Sequence, residues 1–400
     1  MRRSNRAMLT TCLAGLAAMT VAGLLNSAPV KGPVRPEKRE LRVLELKGNG
    51  YERGLQHGRQ LKSEIARIVE LWKNDLRGQS GQDPETLIKR FLSETAFTPA
   101  IKKWTPDILD EVRGIADGAG QPFETMFAFQ LVDEIWVYLD AAAAHHCSGL
   151  GVARSGGHPA FIAQNMDLES FRDVFQAVLH IAGDGIRPEQ FVFTSAGLVG
   201  VNGINDRSVG IACNTLLQLS ACSDGLPVAF VVRGVLASAS GDEALKLVRS
   251  VRHASGQNYI IGAGDRVYDL EASAGKVVEF KPFPDGRFVY HTNHPLINDD
   301  LKPWASMDEI SLANTKTRLA SVRDRLGSDP AAVDKEAIKA ILRSKDSAHH
   351  PVCRTLRPGA SVFTFGATIM TLSGTPGLAV TMGPPDTNPF IHLQFAGKKP

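Results

Sequence analysis

From Cys147 onward the chain consists largely of short apolar segments separated by turn residues, and this pattern restricts the fold more than any other feature. Glycine, proline and aspartate mark the turns, as in Arg154-Ser155-Gly156-Gly157. Segments this short, bounded this way, are typical of antiparallel β-strands. We therefore predict strands at 148–153, 160–166, 177–182, 190–194, 198–203, 209–214, 259–263, 267–271, 277–281, 288–291, 367–373, 378–382 and 390–395.

The residues before Cys147 have a helical pattern instead, after one short predicted strand at 41–46. Between 50 and 76, apolar residues recur at helical spacing, which predicts one long amphipathic helix. Further helices are predicted at 106–119, 122–139, 226–239, 241–251, 310–325 and 334–344. Helices between runs of strands predict an α+β fold, with sheets of antiparallel strands inside and helical layers outside.

The first 28 residues have the pattern of an export signal. Arg2, Arg3 and Arg6 precede an apolar stretch at 7–25, which is about long enough to cross a bilayer if it is not removed. We predict that residues 1–28 form an export signal or an N-terminal anchor and that 29–40 form a Pro-rich spacer. The rest of the chain, called the body below, is then expected in the periplasm or outside the cell, with membrane attachment only through residues 1–28.

Charge and cysteine usage restrict the partners. The chain has 45 basic and 42 acidic residues, and the three arginines of the first segment account for the whole excess. A neutral body without a basic cluster lacks the field that phosphate backbones require, so no nucleic-acid partner is predicted. The oligomeric state is left open.

The body contains Cys147, Cys213, Cys222 and Cys353, without a CxxC pair or zinc-like spacing. We therefore predict no metal and no cofactor, and we interpret His349-His350 with Cys353 as a loop. If one of the four cysteines acts as a catalytic thiolate, at most one disulfide forms among the other three.

Cys147 stands at the boundary between the helical part, 41–146, and the strand-rich part, 147–400. A cysteine that follows a small-residue linker and begins a strand can attack the preceding carbonyl, form a thioester and become a new N-terminus. Its α-amine, with a pKa near ~7.7–8.0, then takes the thiol proton without a histidine base. The alternative from position alone is a buried apolar cysteine.

Five motifs occur in order through the chain: Cys147-Ser148, 163–167 (AQNMD), 197–216 (GLVGVNGIN to GIACNTL), 257–259 (QNY) and 291–295 (HTNHP). With 50–58 (GYERGLQHG) upstream, this succession resembles the acyl-coenzyme A:6-aminopenicillanic acid acyltransferase family of N-terminal nucleophile hydrolases. The resemblance implies a four-layer αββα sandwich, built as one catalytic domain from 41–146 and 147–400.

The resemblance also assigns roles. Cys147 matches the nucleophile, and the His146–Cys147 bond matches the self-cleavage site. Asp167 matches the acid that holds the new terminal amine. Without the resemblance, Asp167 is a turn aspartate at the end of a strand.

Asn214 and Asn293 match two strand-end asparagines that are assigned to an oxyanion hole and to substrate positioning. Taken singly, each is more often a local backbone cap. Arg318 matches a downstream arginine near the site, and its alternative is a solvated helical charge.

The implied function is a self-processing cysteine amidohydrolase or acyltransferase that acts on small linear N-acyl amides through a thioester. Two alternatives stay open. The residue before the nucleophile is His146, where the family commonly has a small residue, which favours an exported small-molecule-binding protein that never matures. A papain-like Cys147/His294 pair has little support, because the local papain cysteine signature is missing.

Overall fold

Two β-sheets packed face to face form the centre of the protein. The computed structural model describes residues 40–140, 146–303 and 307–395, so the predicted export signal and nearly all of the Pro-rich spacer lie outside the described residues. The strands are β1 (Arg42–Leu46), β2 (His146–Val152), β3 (Phe161–Glu169), β4 (Gln176–Ile181), β5 (Gln190–Ser195), β6 (Asn202–Asn205), β7 (Val209–Thr215), β8 (Gln257–Ala263), β9 (Arg266–Ala272), β10 (Val277–Glu279), β11 (Phe288–His291), β12 (Val362–Thr371), β13 (Gly377–Val380) and β14 (Ile391–Gln394).

Helices precede, interrupt and follow these strands. They are α1 (Gly50–Gln60), α2 (Lys62–Ser80), α3 (Pro84–Glu94), α4 (Phe97–Trp104), α5 (Pro106–Ala119), α6 (Phe123–Phe129), α7 (Val132–Leu139), α8 (Val228–Leu236), α9 (Gly241–Ser250), α10 (Glu309–Leu326) and α11 (Lys335–Leu342). Among the described residues, no helix combines the length and the apolarity needed to cross a membrane.

The larger sheet has the order β1-β4-β5-β6-β7-β8-β9-β10, and the smaller sheet has the order β11-β2-β3-β12-β13-β14. Neighbouring strands are antiparallel, as predicted, except that β1 pairs with β4 in parallel. The parallel pair could not be predicted, because β1 enters the sheet from the helical part of the chain, far from its neighbour in sequence. Through β1, this part of the chain contributes an edge strand to the larger sheet.

Three apolar cores separate the layers. The first lies between helices α2–α9 and the larger sheet, the second between the two sheets, and the third between the smaller sheet and helices α10 and α11. Alternation along β7 shows this directly, since Ile211 belongs to the first core and Ala212 to the second. The order of layers is therefore helix, sheet, sheet, helix, and the predicted α+β sandwich is confirmed.

The predicted helix at 50–76 is wrong in one respect, because the chain breaks at Leu61 into α1 and α2. Leu61 and Ile65 are both buried, so the apolar repeat continues across the break. The sequence pattern therefore does not reveal where α1 ends. The predicted helix at 122–139 likewise divides into α6 and α7. Helices α3 and α4 were not predicted.

Glycines bring α1 and α5 unusually close together. Gly54 and Gly58 of α1 face Gly114 and Gly118 of α5, and an added methyl group at any of them would overlap backbone atoms of the other helix. The guanidinium of Arg53 reaches the buried carboxylate of Glu111 on α5 at 3.1 Å. The upstream GYERG motif therefore has a structural role at this helix crossing.

Gly54→Ala is expected to lower the free energy of unfolding by roughly 1–3 kcal/mol, because the methyl group would push α1 away from the backbone of Glu111. Urea unfolding followed by circular dichroism measures the change. Gly78→Ala is the control, since no atom lies within 4 Å of a methyl group added there. The control should gain up to about 1 kcal/mol from helix propensity. An unchanged unfolding midpoint for Gly54→Ala would show that the close crossing is not needed.

Candidate active site

Cys147 is the second residue of β2, and its side chain lies in the core between the two sheets, only 3% exposed. Its register partner on β3 is Met166, whose thioether accepts from the Cys147 thiol at 3.2 Å. Burial, followed by the negative charge of Asp167, raises the pKa of the Cys147 thiol to about 12. In the uncut chain the thiol therefore stays protonated at neutral pH and needs a base to become a nucleophile.

The backbone of Cys147 is held on both sides. Its N–H donates to Oδ1 of Asn293 at 2.8 Å, and its carbonyl accepts from Nη1 of Arg318 at 2.5 Å. Arg318 also donates to Oδ1 of Asn293 at 3.0 Å and to Oγ of Ser148 at 3.0 Å. These contacts connect the strand that carries Cys147 to the loop after β11 and to α10.

Arg318 is fully buried, so it is not the solvated helical charge that its sequence context alone suggested. Burial lowers its pKa to about 10, which still leaves the guanidinium charged at neutral pH. The structure thus brings a fixed positive charge to the backbone of Cys147.

Asp167 lies on β3 as the register partner of His146, beside the His146–Cys147 bond. Its Oδ1 accepts from Oγ1 of Thr364 at 2.7 Å. Its Oδ2 forms an ion pair with Nε of Arg354 at 3.0 Å. Burial raises the pKa of Asp167 to about 6, against the opposing charges of Arg354 and Arg318.

Asn214 lies near the end of β7 and faces the smaller sheet. Its Nδ2 donates to the carbonyl of His291 at 3.3 Å, and a methyl group added at Gly149 would lie 3.1 Å from its Oδ1. No hydrogen bond within the described ranges joins Asn214 to Cys147. Asn293, by contrast, has both amide atoms engaged, since its Nδ2 donates to the carbonyl of Thr215 at 3.2 Å.

The loop that carries Asn293 is anchored by a residue that sequence reasoning missed, Glu271 of β9. Its buried carboxylate accepts from Nε2 of His291 at 2.8 Å and from the backbone N–H groups of the loop at 296–298. Thr364 and Arg354, which contact Asp167, were also missed. No sequence pattern marks any of the three as a site residue, because only strand pairing and loop packing bring them to the site.

His294 points to a different partner from the one a papain-like mechanism requires. Its Nδ1 lies 2.9 Å from Oγ1 of Thr315, and no hydrogen bond in the described part of the chain joins it to Cys147. Burial and the neighbouring positive charges lower its pKa to about 4.

Cys147, Cys213, Cys222 and Cys353 are all free thiols. In the described ranges, no group of three or more His, Cys, Asp or Glu side chains is arranged to hold a metal ion.

A narrow cleft, with an internal volume of about 80 Å³, lies beside Cys147 and Met166. Most of its lining is apolar, and its charged members are Asp133 of α7 and Arg172, which follows β3. The apolar lining includes Val132, Trp136, Leu168, Leu198, Val201, Val228 and Val232. Cys147 therefore lines a largely apolar cleft.

The match to known families covers this region. A family model described as acyl-coenzyme A:6-aminopenicillanic acid acyl-transferase matches residues 154–373, more than half of the chain. The chain belongs to this family. The range matched by the acyltransferase family contains Asp167, Asn214, Asn293 and Arg318, and it begins after Cys147.

Similar proteins are distant in sequence. Protein dcd1A of Dictyostelium discoideum is 25% identical over an alignment of 343 positions that covers 72% of this chain and 75% of that protein. The beta-alanyl-dopamine/carcinine hydrolase of Drosophila melanogaster is 25% identical over an alignment of 288 positions that covers 66% of this chain and 70% of that protein. Penicillin V acylase from Agrobacterium tumefaciens, a solved structure, is 13% identical with a TM-score of 0.38, over 58% of this chain and 82% of that one.

Membership of the acyltransferase family, together with the helix, sheet, sheet, helix order of layers, confirms the predicted fold and enzyme class. The protein is an enzyme that acts on carbon–nitrogen bonds other than peptide bonds, as a hydrolase of linear amides or as an acyltransferase.

Proposed function

We propose that this protein cuts its own His146–Cys147 bond and then hydrolyses small linear N-acyl amides through a thioester on Cys147. The observation that carries the proposal is the position of Cys147: its thiol is buried beside an apolar cleft, and its N–H and carbonyl are held by Asn293 and Arg318. Cleavage at this bond would place an amine on the same residue as the thiol that needs a base.

The maturation step has a simple balance. The Cys147 sulfur attacks the carbonyl carbon of His146, and the bond between this carbon and the Cys147 nitrogen breaks. The thiol proton moves to the nitrogen, which becomes an α-amine. Water then hydrolyses the thioester, which releases the carboxylate of His146 and restores the thiol. Because Asn293 accepts from the Cys147 N–H in the uncut chain, it is the residue best placed to hold the amine afterwards.

Catalysis reuses the same groups. The amine takes the thiol proton, the thiolate attacks the substrate carbonyl, and the proton passes to the departing amine as the thioester forms. Water then hydrolyses the thioester, which releases the acyl group as a free acid and restores the Cys147 thiol. Asp167, which lies beside the His146–Cys147 bond, stabilises the ammonium by its negative charge, and Arg318 keeps Asn293 and the strand that carries Cys147 in register.

Asn214 is proposed as the amide donor to the oxyanion, because the one hydrogen bond that its Nδ2 donates among the described residues is long, at 3.3 Å. One such donor is worth on the order of 2.7–4 kcal/mol. Asn293, which was assigned a similar role from the resemblance, instead faces the Cys147 backbone with its oxygen. We therefore propose that Asn293 positions the amine and the bound substrate.

Hydrolysis is preferred over acyl transfer because the proposed export signal places the body where coenzyme A is scarce. The related Drosophila enzyme is named as a hydrolase of two amides, beta-alanyl-dopamine and carcinine, which supports small amides as the substrate class.

The test is turnover by wild-type protein of N-acyl amino acids, penicillin V and N-acyl homoserine lactones, with and without added coenzyme A. We expect free acid and free amine in equal amounts, unchanged by coenzyme A. Formation of an acyl-coenzyme A product would favour transfer. Tight binding of an amide, with no turnover and no labelling of Cys147 by a thiol-directed acylating probe, would favour the exported binding protein.

A further inference from the structure

We propose that the cleft beside Cys147 selects amides that carry a primary ammonium group, and that Asp133 is the residue that recognises it. This inference rests on the proposed function and names its substrate class. The ammonium lies on either the acyl part or the amine part of the substrate.

The Asp133 carboxylate is fixed through one of its two oxygens. Oδ2 accepts from Oγ1 of Thr215 at 2.7 Å and from Nε2 of Gln257 at 2.8 Å. Thr215 and Gln257 are register partners at the ends of β7 and β8, so both donors stand on the rigid sheet. Within the described part of the chain, no hydrogen bond reaches Oδ1, which leaves that oxygen to accept from a ligand.

The charge of Asp133 is not balanced locally. No cationic side chain of the described residues forms an ion pair with it, whereas Arg172, the other charged residue of the cleft, pairs with Glu169 at 2.7 Å. The neighbouring Glu134 points elsewhere and accepts from Ser255 and from the N–H of Val228. The cleft therefore presents one uncompensated carboxylate on an otherwise mostly apolar wall.

Asp133 is also close to the reacting atoms. Thr215 donates to it, the carbonyl of Thr215 accepts from Asn293, and Asn293 accepts from the N–H of Cys147. Both Asp133 and Cys147 line the cleft, so an amide bound at the thiol has this carboxylate within reach of a short substituent.

A carboxylate on an apolar wall discriminates strongly by charge. An ammonium group pairs with it and donates a charge-assisted hydrogen bond, which is worth roughly tenfold to a hundredfold in affinity. A neutral methyl group in the same place leaves the carboxylate unpaired, and a second carboxylate is repelled. Substrates that differ only at this substituent therefore isolate the effect.

Two isosteric pairs test the inference with the wild-type enzyme. β-Alanyl-p-nitroanilide and butyryl-p-nitroanilide differ by an ammonium in place of a methyl on the acyl side. N-Butyryl-ethylenediamine and N-butyryl-propylamine differ in the same way on the amine side. We expect kcat/KM to favour the ammonium compound at least tenfold in one pair, and that pair identifies which side of the substrate faces Asp133.

Asp133→Asn should reduce this preference to within a factor of about three, because the amide keeps the shape but loses the charge. The ratio of the kcat/KM values of two isosteres does not change when a variant loses activity in general. It therefore separates loss of ammonium recognition from structural damage. The control, Asp110→Asn, removes one charge from an exposed surface pair with Arg113 and should keep the wild-type ratio.

No preference in either pair, or a preference unchanged in Asp133→Asn, overturns the inference and leaves the proposed function standing. Failure of the wild-type enzyme to hydrolyse any amide, here or in the wider panel, overturns both.

Discussion

Cys147→Ala is expected to remain a single uncut chain and to lose amide hydrolysis by roughly 10⁴-fold or more, the scale seen when a covalent nucleophile is removed. Both effects have one cause in the proposed mechanism, in which the same sulfur attacks the His146 carbonyl during maturation and the substrate carbonyl during turnover. Denaturing electrophoresis follows the first effect, and release of free amine follows the second.

Cys222→Ala is the matched control for this variant. Its thiol is also free and partly buried, but it donates to the backbone carbonyl of His253 and does not line the cleft. It should mature and turn over substrate as the wild type does. Amide hydrolysis that survives in Cys147→Ala would remove Cys147 from the mechanism.

Asp167→Asn is expected to slow both maturation and turnover on the order of a hundredfold, the cost of misplacing a reacting group. It should also shift the pH profile. In the wild type, we expect kcat/KM to rise with pH through one apparent ionisation of the coupled amine and thiol. In the proposed mechanism, the Asp167 carboxylate stabilises the ammonium, and its charge also raises the pKa of the thiol. Removing that charge therefore lowers both pKa values. The rise in residual activity should therefore move to lower pH.

His294→Ala separates this mechanism from a histidine base. Burial lowers the pKa of His294 to about 4, so a reaction that depended on it would rise near that pH and lose this ionisation in the variant. We expect His294→Ala to keep the wild-type ionisation even if the rate falls. Loss of the ionisation in His294→Ala, with an unchanged profile in Asp167→Asn, would make a histidine the base.

Much of the fold could be predicted because its strands are short and bounded by turn residues. The predicted segments at 177–182 and 190–194 correspond closely to β4 and β5, since each has an apolar stretch closed by glycine, proline or aspartate. The break at Leu61 and the parallel pairing of β1 with β4 were not predictable. Both depend on tertiary packing, which leaves no local mark in the apolar pattern.

The candidate site, like the fold, could be predicted only in part. The resemblance pointed to Cys147, Asp167, Asn293 and Arg318, and the structure places all four in one buried cluster around the nucleophile strand. Burial of Arg318 was not predictable from a helix whose neighbouring residues are polar. The orientation of the Asn293 amide was not predictable either, because it depends on which groups β2, β7 and α10 present to it.

The most direct measurement of the central claim is the intact mass and N-terminal sequence of purified, active wild-type protein. The account predicts two chains, one ending at His146 and one beginning at Cys147, with activity appearing as the second chain accumulates. A protein that is fully active while every molecule remains a single chain across the His146–Cys147 bond would contradict it.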